Sequence, residues 1–189
     1  VLEKAGELDA AIMAIIDDAY LDDIRGSKVV FIDGFYKAEL STIKGEDGLK
    51  LLSLNEYIKS QNGDAKTLLQ STHEVSSLAN LNSALMTDGY VIQVKPNIKL
   101  SQPIQIIHVS GERSNLKALR NKNFIEVSEN SSAQIIESFI GVDNVDNWKQ
   151  DVTQIWVEKN AVLEIYQTQL QGNETIHMGE THIDVAEDA

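Results

Sequence analysis

The sequence has 189 residues, 42% of them hydrophobic and 24% charged, the composition of an ordinary globular chain that is long enough to bury a core. Acidic residues outnumber basic ones by 29 to 16, and the formal net charge of −13 argues against nucleic acid as a partner, because phosphate binding needs clustered Lys and Arg. The chain has no cysteine, hence no disulfides or thiolate ligands, and no apolar run that could span a bilayer, so we expect a cytoplasmic protein that contacts no membrane.

The first predicted element is an amphipathic helix over residues 3–24, whose apolar side chains recur at helical spacing. Its opposite face carries five acidic residues, which we interpret as a solvated face rather than a cation site: Asp9, Asp17, Asp18, Asp22 and Asp23. The helical pattern is already under way near Val1 with no methionine before it, so we expect the chain to be a piece of a longer protein.

A β-hairpin is predicted next, because Asp33-Gly34 separates two apolar runs and this dipeptide accepts the positive φ angles of a two-residue turn. Two short helices are expected between residues 41 and 75, and their apolar residues are Leu51, Leu54, Tyr57 and Ile58 in the first and Leu68 and Leu69 in the second. A third helix is expected to have Ser77 as its N-cap and to end at Asp88-Gly89.

From Tyr90 onward the apolar pattern changes to a period of two, which predicts a region that is almost entirely β. The predicted strands are residues 90–94, 104–109, 124–127, 133–140, 151–157, 161–170, 175–178 and 181–185. Only the stretch from Leu116 to Arg120 suggests a short helix in this region. Two strands per coil would give a flattened helix of β-strands with two stacked sheets.

A short internal repeat favours such stacked coils. The segment from Val127 to Ile136 is followed about 30 residues later by a similar one from Val157 to Tyr166, and each places an asparagine at a polar corner between two strands. A unit of this kind cannot bury its apolar face alone, so it implies neighbouring units above and below.

The four histidines form no recognised metal motif. His177 and His182 are five residues apart with Gly179 between them, so a turn would bring them together, with Glu180 as a candidate third ligand. Zinc sites need three or four ligands at suitable spacing, and the other histidines, His73 and His108, are remote in sequence. We therefore predict no metal site and expect the histidines at strand ends.

Three glutamates on predicted strands would suit the carboxylate pair of a glycoside hydrolase: Glu126, Glu137 and Glu164. Strand alternation leads us to expect that all three point outward to solvent. Trp148 and Trp156 would suit a sugar-stacking surface, although aromatic residues at such positions more often cover a core edge or an interface.

No other feature nominates a catalytic residue. The sequence contains no nucleophile elbow, no phosphate-binding lysine loop and no dinucleotide-binding glycine motif. The basic residues Lys117, Arg120 and Lys122 are expected in a solvated loop. We predict no catalytic residue, and cofactor-binding residues are unknown at this level.

Several segments, taken in order, resemble the SufB/SufD family of iron–sulfur cluster assembly proteins. The stretch from Asn82 to Tyr90, followed by Pro96 and then by Pro103 to His108, is similar to the entry to the family's core. The upstream hairpin with Glu39-Leu40-Ser41, the order Arg120-Asn121 to Glu137, and the stretch from Ala161 to Tyr166 also match. The hairpin favours the SufD branch of the family.

The resemblance implies a mainly β fold in two parts. Residues 1–77 would form an N-terminal α/β region with the helix and hairpin, and residues 78–189 the first part of a right-handed parallel β-helix that is cut before its C-terminal end. Five matched positions are interpreted as structural residues at caps and turns: Asn82, Asp88, Gly89, Pro96 and Pro103.

The resemblance further implies a non-catalytic subunit of the SUF scaffold complex. Its partners would be a SufB-like paralogue and a SufC-like ATPase, with the ATPase-docking segment and the interface histidine and cysteine beyond Ala189; a homodimer also remains open. An iron–sulfur cluster or reduced flavin would be bound only at the level of the whole complex.

Two other functions remain open from the residues alone. One is a carbohydrate-binding or carbohydrate-active β-helix, which would need polar side chains clustered on one sheet face. The other is a self-assembling structural β-helix, since an open sheet edge exposes unpaired backbone groups.

Overall fold

The computed structural model describes residues 10–21, 23–61, 76–111, 117–143 and 145–189. Three α-helices are described, namely α1 (Ala10–Ala19), α2 (Leu54–Ser60) and α3 (Ser77–Leu85), and a 3-10 turn spans Ala38–Leu40. The strands of the first half are β1 (Lys28–Ile32), β2 (Phe35–Tyr36), β3 (Leu49–Ser53), β4 (Tyr90–Val94) and β5 (Ile104–Ser110). Those of the second half are β6 (Lys117–Val127), β7 (Ser132–Gly141), β8 (Asn147–Val157), β9 (Val162–Leu170) and β10 (Thr175–Val185).

The strands form two five-stranded sheets. Sheet one has the order β2-β1-β5-β7-β9 and sheet two the order β10-β8-β6-β4-β3. All neighbours are parallel except β1 with β2 and β3 with β4, which are antiparallel. From β4 to β10 successive strands therefore lie in alternate sheets, and from β6 onward each pairs with the strand two places earlier in the chain. The expectation of a mainly β fold with two sheets is confirmed.

The predicted hairpin is present between β1 and β2. Phe31 pairs with Tyr36 and Ile32 with Phe35, so Asp33 and Gly34 form a two-residue turn. Both turn residues have positive φ, 50° and 82°, as the mirror-image type I turn requires. The Asp-Gly signal therefore identified both the location and the type of this turn.

The internal repeat corresponds to stacked, paired strands. Val127 pairs with Val157 and Ser132 with Val162, so the two copies lie side by side at an offset of 30 residues. Asn130 and Asn160 occupy the corner with φ of 58° and 54°, and the side-chain amide of Asn160 donates to Asn130 Oδ1 at 3.1 Å. The two copies therefore lie on paired strands, as expected of neighbouring repeat units.

The space between the sheets is divided into two halves. The half next to the asparagine corners is filled by aliphatic side chains such as Ile92, Ile106 and Ile155. The other half lies next to the connections that follow β5, β7 and β9, and it contains buried polar and charged side chains. Helix α1 covers the outer face of sheet one through Ile12 and Ile16. Helices α2 and α3 pack on the outer face of sheet two.

Several predicted elements differ from the structure. Leu51, predicted in the first short helix, lies instead in strand β3, and the helix starts only at Leu54. The N-cap of α3 is Ser76 rather than Ser77, and the helix ends at Leu85. The helix suggested at Leu116 to Arg120 is wrong, because residues 117–120 belong to β6. The two runs 175–178 and 181–185 form one strand, β10.

Parts of two predicted helices, and one of the four histidines, lie outside the described residues. Helix α1 is described from Ala10 onward, whereas Leu68, Leu69 and His73 fall in a range that is not described. Within the described ranges, none of the helices has the length and apolar character needed to cross a membrane. The division at residues 77 and 78 stays a prediction; strands β1 and β3, which precede it, are hydrogen-bonded to β5 and β4, which follow it.

Candidate functional site

The buried polar half of the interior is the candidate functional site. We call it the interior polar cluster, and its six main residues come from five different strands: Tyr90, His108, Glu137, Lys149, Asp151 and His177. Strand alternation explains why these side chains face inward, since Glu137 has the same parity as the core residue Ile135 on β7. Stacking then brings residues about 30 positions apart into contact, as the in-register pairing of β6 and β8 shows.

Glu137 is surrounded by hydrogen-bond donors. Its Oε1 lies 2.9 Å from His108 Nε2 and accepts the Tyr90 hydroxyl at 3.2 Å, and its Oε2 accepts the Gln167 amide at 3.2 Å. Burial and the neighbouring Glu137 charge raise the pKa of Tyr90 well above its usual value. Because the Tyr90 proton is therefore retained at neutral pH, this hydroxyl remains a donor to the buried carboxylate.

Lys149, Asp151 and His177 form the charged part of the cluster. Lys149 Nζ lies 3.0 Å from Asp151 Oδ1, and His177 Nε2 lies 2.9 Å from Asp151 Oδ2. Lys149 and Asp151 are only 2% and 5% exposed. Burial by itself would raise the pKa of the Asp151 carboxyl, but the Lys149 charge and the His177 hydrogen bond outweigh it and hold this pKa below its usual value.

An aromatic column connects these two groups along the stacking direction. Phe31, His108 and Phe139 occupy matching positions on β1, β5 and β7. The His108 ring stacks on Phe31 at 5.1 Å and on Phe139 at 4.6 Å, and His177 meets the other side of Phe139 edge-on at 4.6 Å. The two imidazoles are thus separated by a phenyl ring.

His108 is held in its neutral form. Burial and the nearby Lys149 charge lower its pKa, although its hydrogen bond to Glu137 acts in the opposite direction. A neutral ring that donates through Nε2 to Glu137 leaves Nδ1 as an acceptor. No described residue donates to His108 Nδ1.

The chemistry available to the cluster is that of charge pairing and proton sharing. A cavity of about 230 Å³ adjoins it, lined by Glu137, Asp151 and His177 and by strand residues of β9 and β10. In the described part of the chain no three His, Asp or Glu side chains are arranged to hold a metal ion. The carboxylates are instead engaged by donors of the protein itself, which suits a structural network.

The structure separates the predicted carboxylates. Glu137 does not point to solvent as expected, because it lies on the inward face of β7 and is 5% exposed. Glu164 is exposed, and Glu126 lies half-buried on the outer face of sheet two, so those two do point away from the interior. The three are therefore not brought together as a hydrolytic pair.

The histidine prediction also needs correction. His177 and His182 lie on one continuous strand, where an odd separation places them on opposite faces, and Gly179 forms no turn between them. His182 pairs instead with Glu180 at 2.7 Å on the outer face. His108 is not at a strand end but in the buried middle of β5.

Arg120 and Lys122 are not in a solvated loop. Both lie in strand β6 and are 7% and 3% exposed, because helix α3 covers the outer face of sheet two. Arg120 Nε donates to Gln150 Oε1 at 3.2 Å and its guanidinium packs over Trp148, while Lys122 Nζ donates to Ser83 Oγ at 2.7 Å. Burial lowers the pKa of Lys122.

The positions interpreted as structural make close contacts between elements. The side-chain amide of Asn82 donates from α3 to the carbonyl of Asn121 at 3.0 Å, which attaches the helix to sheet two. Asp88 accepts the backbone N–H groups of Tyr36 and Asn55 at 3.3 and 3.1 Å. A Cβ at Gly89 would lie 1.8 Å from the Lys122 carbonyl oxygen, so only glycine fits between β4 and β6.

Comparison with known proteins assigns both halves of the chain. Residues 8–106 match the family described as SufBD protein N-terminal region, and residues 108–189 match the SUF system FeS cluster assembly SufBD core domain. A curated iron–sulfur cluster assembly SufBD family protein of Synechocystis is 25% identical over 181 residues, which is 90% of this chain and 40% of that protein. The chain thus spans well under half the length of this relative. Because the N-terminal match alone covers more than half of its residues, the chain belongs to the SufBD family of iron–sulfur cluster assembly proteins.

Proposed function

We propose that this protein is a non-catalytic subunit of an iron–sulfur cluster assembly scaffold, of the SufD type. The observation that carries the proposal is the match to the SufBD family over residues 8–106 and 108–189. The partners would be a SufB-like paralogue and a SufC-like ATPase, and the iron–sulfur cluster would be the cargo of the assembled complex. Since this sequence has no cysteine, the thiolates that hold the cargo would come from outside it.

The fold proposed for this role is a right-handed parallel β-helix that begins at β4. Three features support it: strands β4 to β10 alternate between two parallel sheets, the corner residues Asn97, Asn130 and Asn160 share positive φ angles of 63°, 58° and 54°, and their side chains form a hydrogen-bonded ladder. Right-handedness follows from the strong preference of parallel crossover connections.

The outer strands β9 and β10 support an interaction with a partner subunit. They carry exposed apolar side chains, among them Ile165, Leu170, Ile176 and Ile183. A sheet edge with such side chains favours pairing with further strands. A paralogous subunit would bury them, as expected for a scaffold protein.

Co-purification tests the proposed function. The tagged protein is co-expressed with the SufB-like and SufC-like proteins of its own organism, and the mass of the complex is measured by light scattering after gel filtration. We expect the full-length subunit to form one complex that contains all three proteins and to show no ATP hydrolysis by itself, and we expect residues 1–189 alone not to retain the SufC-like ATPase. Recovery of the protein without either partner, together with unchanged iron–sulfur enzyme activities in cells that lack it, would refute the proposal.

A further inference from the structure

A groove on the outer face of sheet two is remote from the interior polar cluster. It lies between α2 and the C-terminal end of β10 and has a volume of about 560 Å³. We call it the acidic groove, and its characteristic lining residues are Tyr57, Gln93, Glu126, Trp156, Glu158 and Asp184. Its volume is within the range of about 300–1,000 Å³ that ligand sites occupy in proteins.

Strand register places the aromatic residue of the groove between two acids. Glu126, Trp156 and Asp184 pair directly across the neighbouring strands β6, β8 and β10. Neighbouring strands are about 4.8 Å apart, so one carboxylate flanks each side of the Trp156 position on the same sheet face. Glu158 adds a third, exposed carboxylate at the end of β8.

The aromatic surfaces of the groove are held in place by the protein. The indole of Trp156 stacks on Phe124, with ring centroids 6.3 Å apart and planes inclined by 4°. Tyr57 already receives a cation of the chain itself, because the Lys50 ammonium lies 4.5 Å from its ring centroid. Tyr57 therefore already meets a cation, Lys50, from outside the groove lining, whereas the Trp156 ring stacks on Phe124 and lies beside carboxylates.

Charge complementarity defines the occupant. The described residues that line the groove include three carboxylates and neither a lysine nor an arginine. A guanidinium group can stack on an indole face and donate in parallel to a carboxylate, whereas an ammonium group lacks this planar geometry. A second copy of the chain is disfavoured, since each copy carries a formal net charge of −13.

We propose that the acidic groove binds an arginine-bearing segment of a partner protein, with the guanidinium stacked on Trp156 between Glu126 and Asp184. Trp and Arg are the residues most enriched at the energetic centres of protein interfaces, which fits this pairing. The inference does not depend on the role in cluster assembly. It uses only the geometry of the groove.

Tryptophan fluorescence of the protein tests this directly. The sequence has two tryptophans, so Trp148→Phe leaves Trp156 as the only reporter. The probe is a peptide with blocked, uncharged termini in which glycine separates two arginines. In the control peptide citrulline replaces both arginines, which keeps the side-chain shape and removes the positive charge. We expect saturable quenching by the arginine peptide with a dissociation constant on the order of 1 mM or tighter, and none by the citrulline peptide.

Matched substitutions locate the binding. In the same background, Glu126→Gln with Asp184→Asn should weaken arginine-peptide binding by about tenfold or more, since both carboxylates that flank Trp156 lose their charge. Glu174→Gln removes a charge from the exposed turn before β10, outside the groove, and should leave binding unchanged. Circular dichroism establishes that each variant is folded.

Four results would overturn the proposal. These are equal binding of the arginine and citrulline peptides, equal weakening by Glu174→Gln and by the groove substitutions, no change in Trp156 emission at any peptide concentration, and a dimer in sedimentation that the Asp184→Asn substitution dissociates. The last result would assign the groove to a second copy of the protein.

Discussion

Removal of the Lys149 charge should be among the most destabilising single changes in this protein. Its Nζ lies 3.0 Å from Asp151 Oδ1 and both side chains are almost fully buried, so Lys149→Met leaves the Asp151 carboxylate inside the sandwich without its lysine partner. Breaking a buried ion pair from one side typically costs about 3–5 kcal/mol. We expect a loss of about that size in the free energy of unfolding, measured by urea titration at pH 7.

Two comparisons separate burial from charge. Lys159→Met removes an ion pair of similar length, 2.9 Å to Glu187, from the protein surface, and should cost less than about 1 kcal/mol. The double variant Lys149→Met with Asp151→Asn removes the stranded charge as well, and should be more stable than Lys149→Met alone by at least about 1 kcal/mol. Equal costs for the buried and surface lysines would refute the reasoning.

The pH dependence gives an independent check. The folded-state pKa of Asp151 lies below its ordinary value, with Lys149 as the main cause that lowers it. The stabilisation that this provides is therefore present above about pH 4 and is lost as the pH falls through the folded-state pKa. We expect the stability difference between wild type and Lys149→Met to be largest at neutral pH and to shrink below about pH 4. A difference that stays constant across this range would contradict the assignment.

Substitutions at three further positions test other parts of the fold by urea unfolding. Gly89→Ala should cost roughly 3 kcal/mol, because a Cβ would lie 1.8 Å from the Lys122 carbonyl oxygen; a loss under about 1 kcal/mol would show that the strands can separate freely. Asn130→Ala should cost about 2 kcal/mol through its positive φ and its ladder hydrogen bonds, and Asn130→Gly should cost less because glycine adopts that φ. Ser53→Ala removes a capping box with Glu56 and should cost about 1 kcal/mol, whereas an unchanged stability would mean that α2 is held by packing alone.

The features that could be predicted from sequence are those whose cause is local. Asp33-Gly34 identifies a hairpin turn because few dipeptides accept two consecutive positive φ angles. The repeat at Val127 and Val157 identifies stacked strands because both copies need the same apolar positions facing the same core. In each case the relevant information lies within a few residues or one repeat.

The errors arise where distant parts of the chain decide the environment. Arg120 and Lys122 look like loop residues because both are charged. Helix α3, however, covers the outer face of their strand, so both faces of that strand are buried. Glu137 looks like a solvent-facing residue because it is charged, although its parity with Ile135 places it inside, where donors from three other strands meet it. Strand alternation determines which face of the sheet a side chain occupies, but only the assembled sheets determine whether that face is exposed to solvent.

The interior polar cluster bears on how the strands find their register. A slip of one residue between neighbouring strands would expose the apolar face, so strand alternation already disfavours it. A slip of two residues preserves alternation, and in the aliphatic half of the interior it would exchange one branched side chain for another. In the polar half the same slip would separate Lys149 and Asp151 from His177, which reaches them from the neighbouring strand β10, and leave buried charges without partners. We infer that the polar half contributes register specificity that the aliphatic half cannot supply, at a cost in stability that the surrounding core offsets.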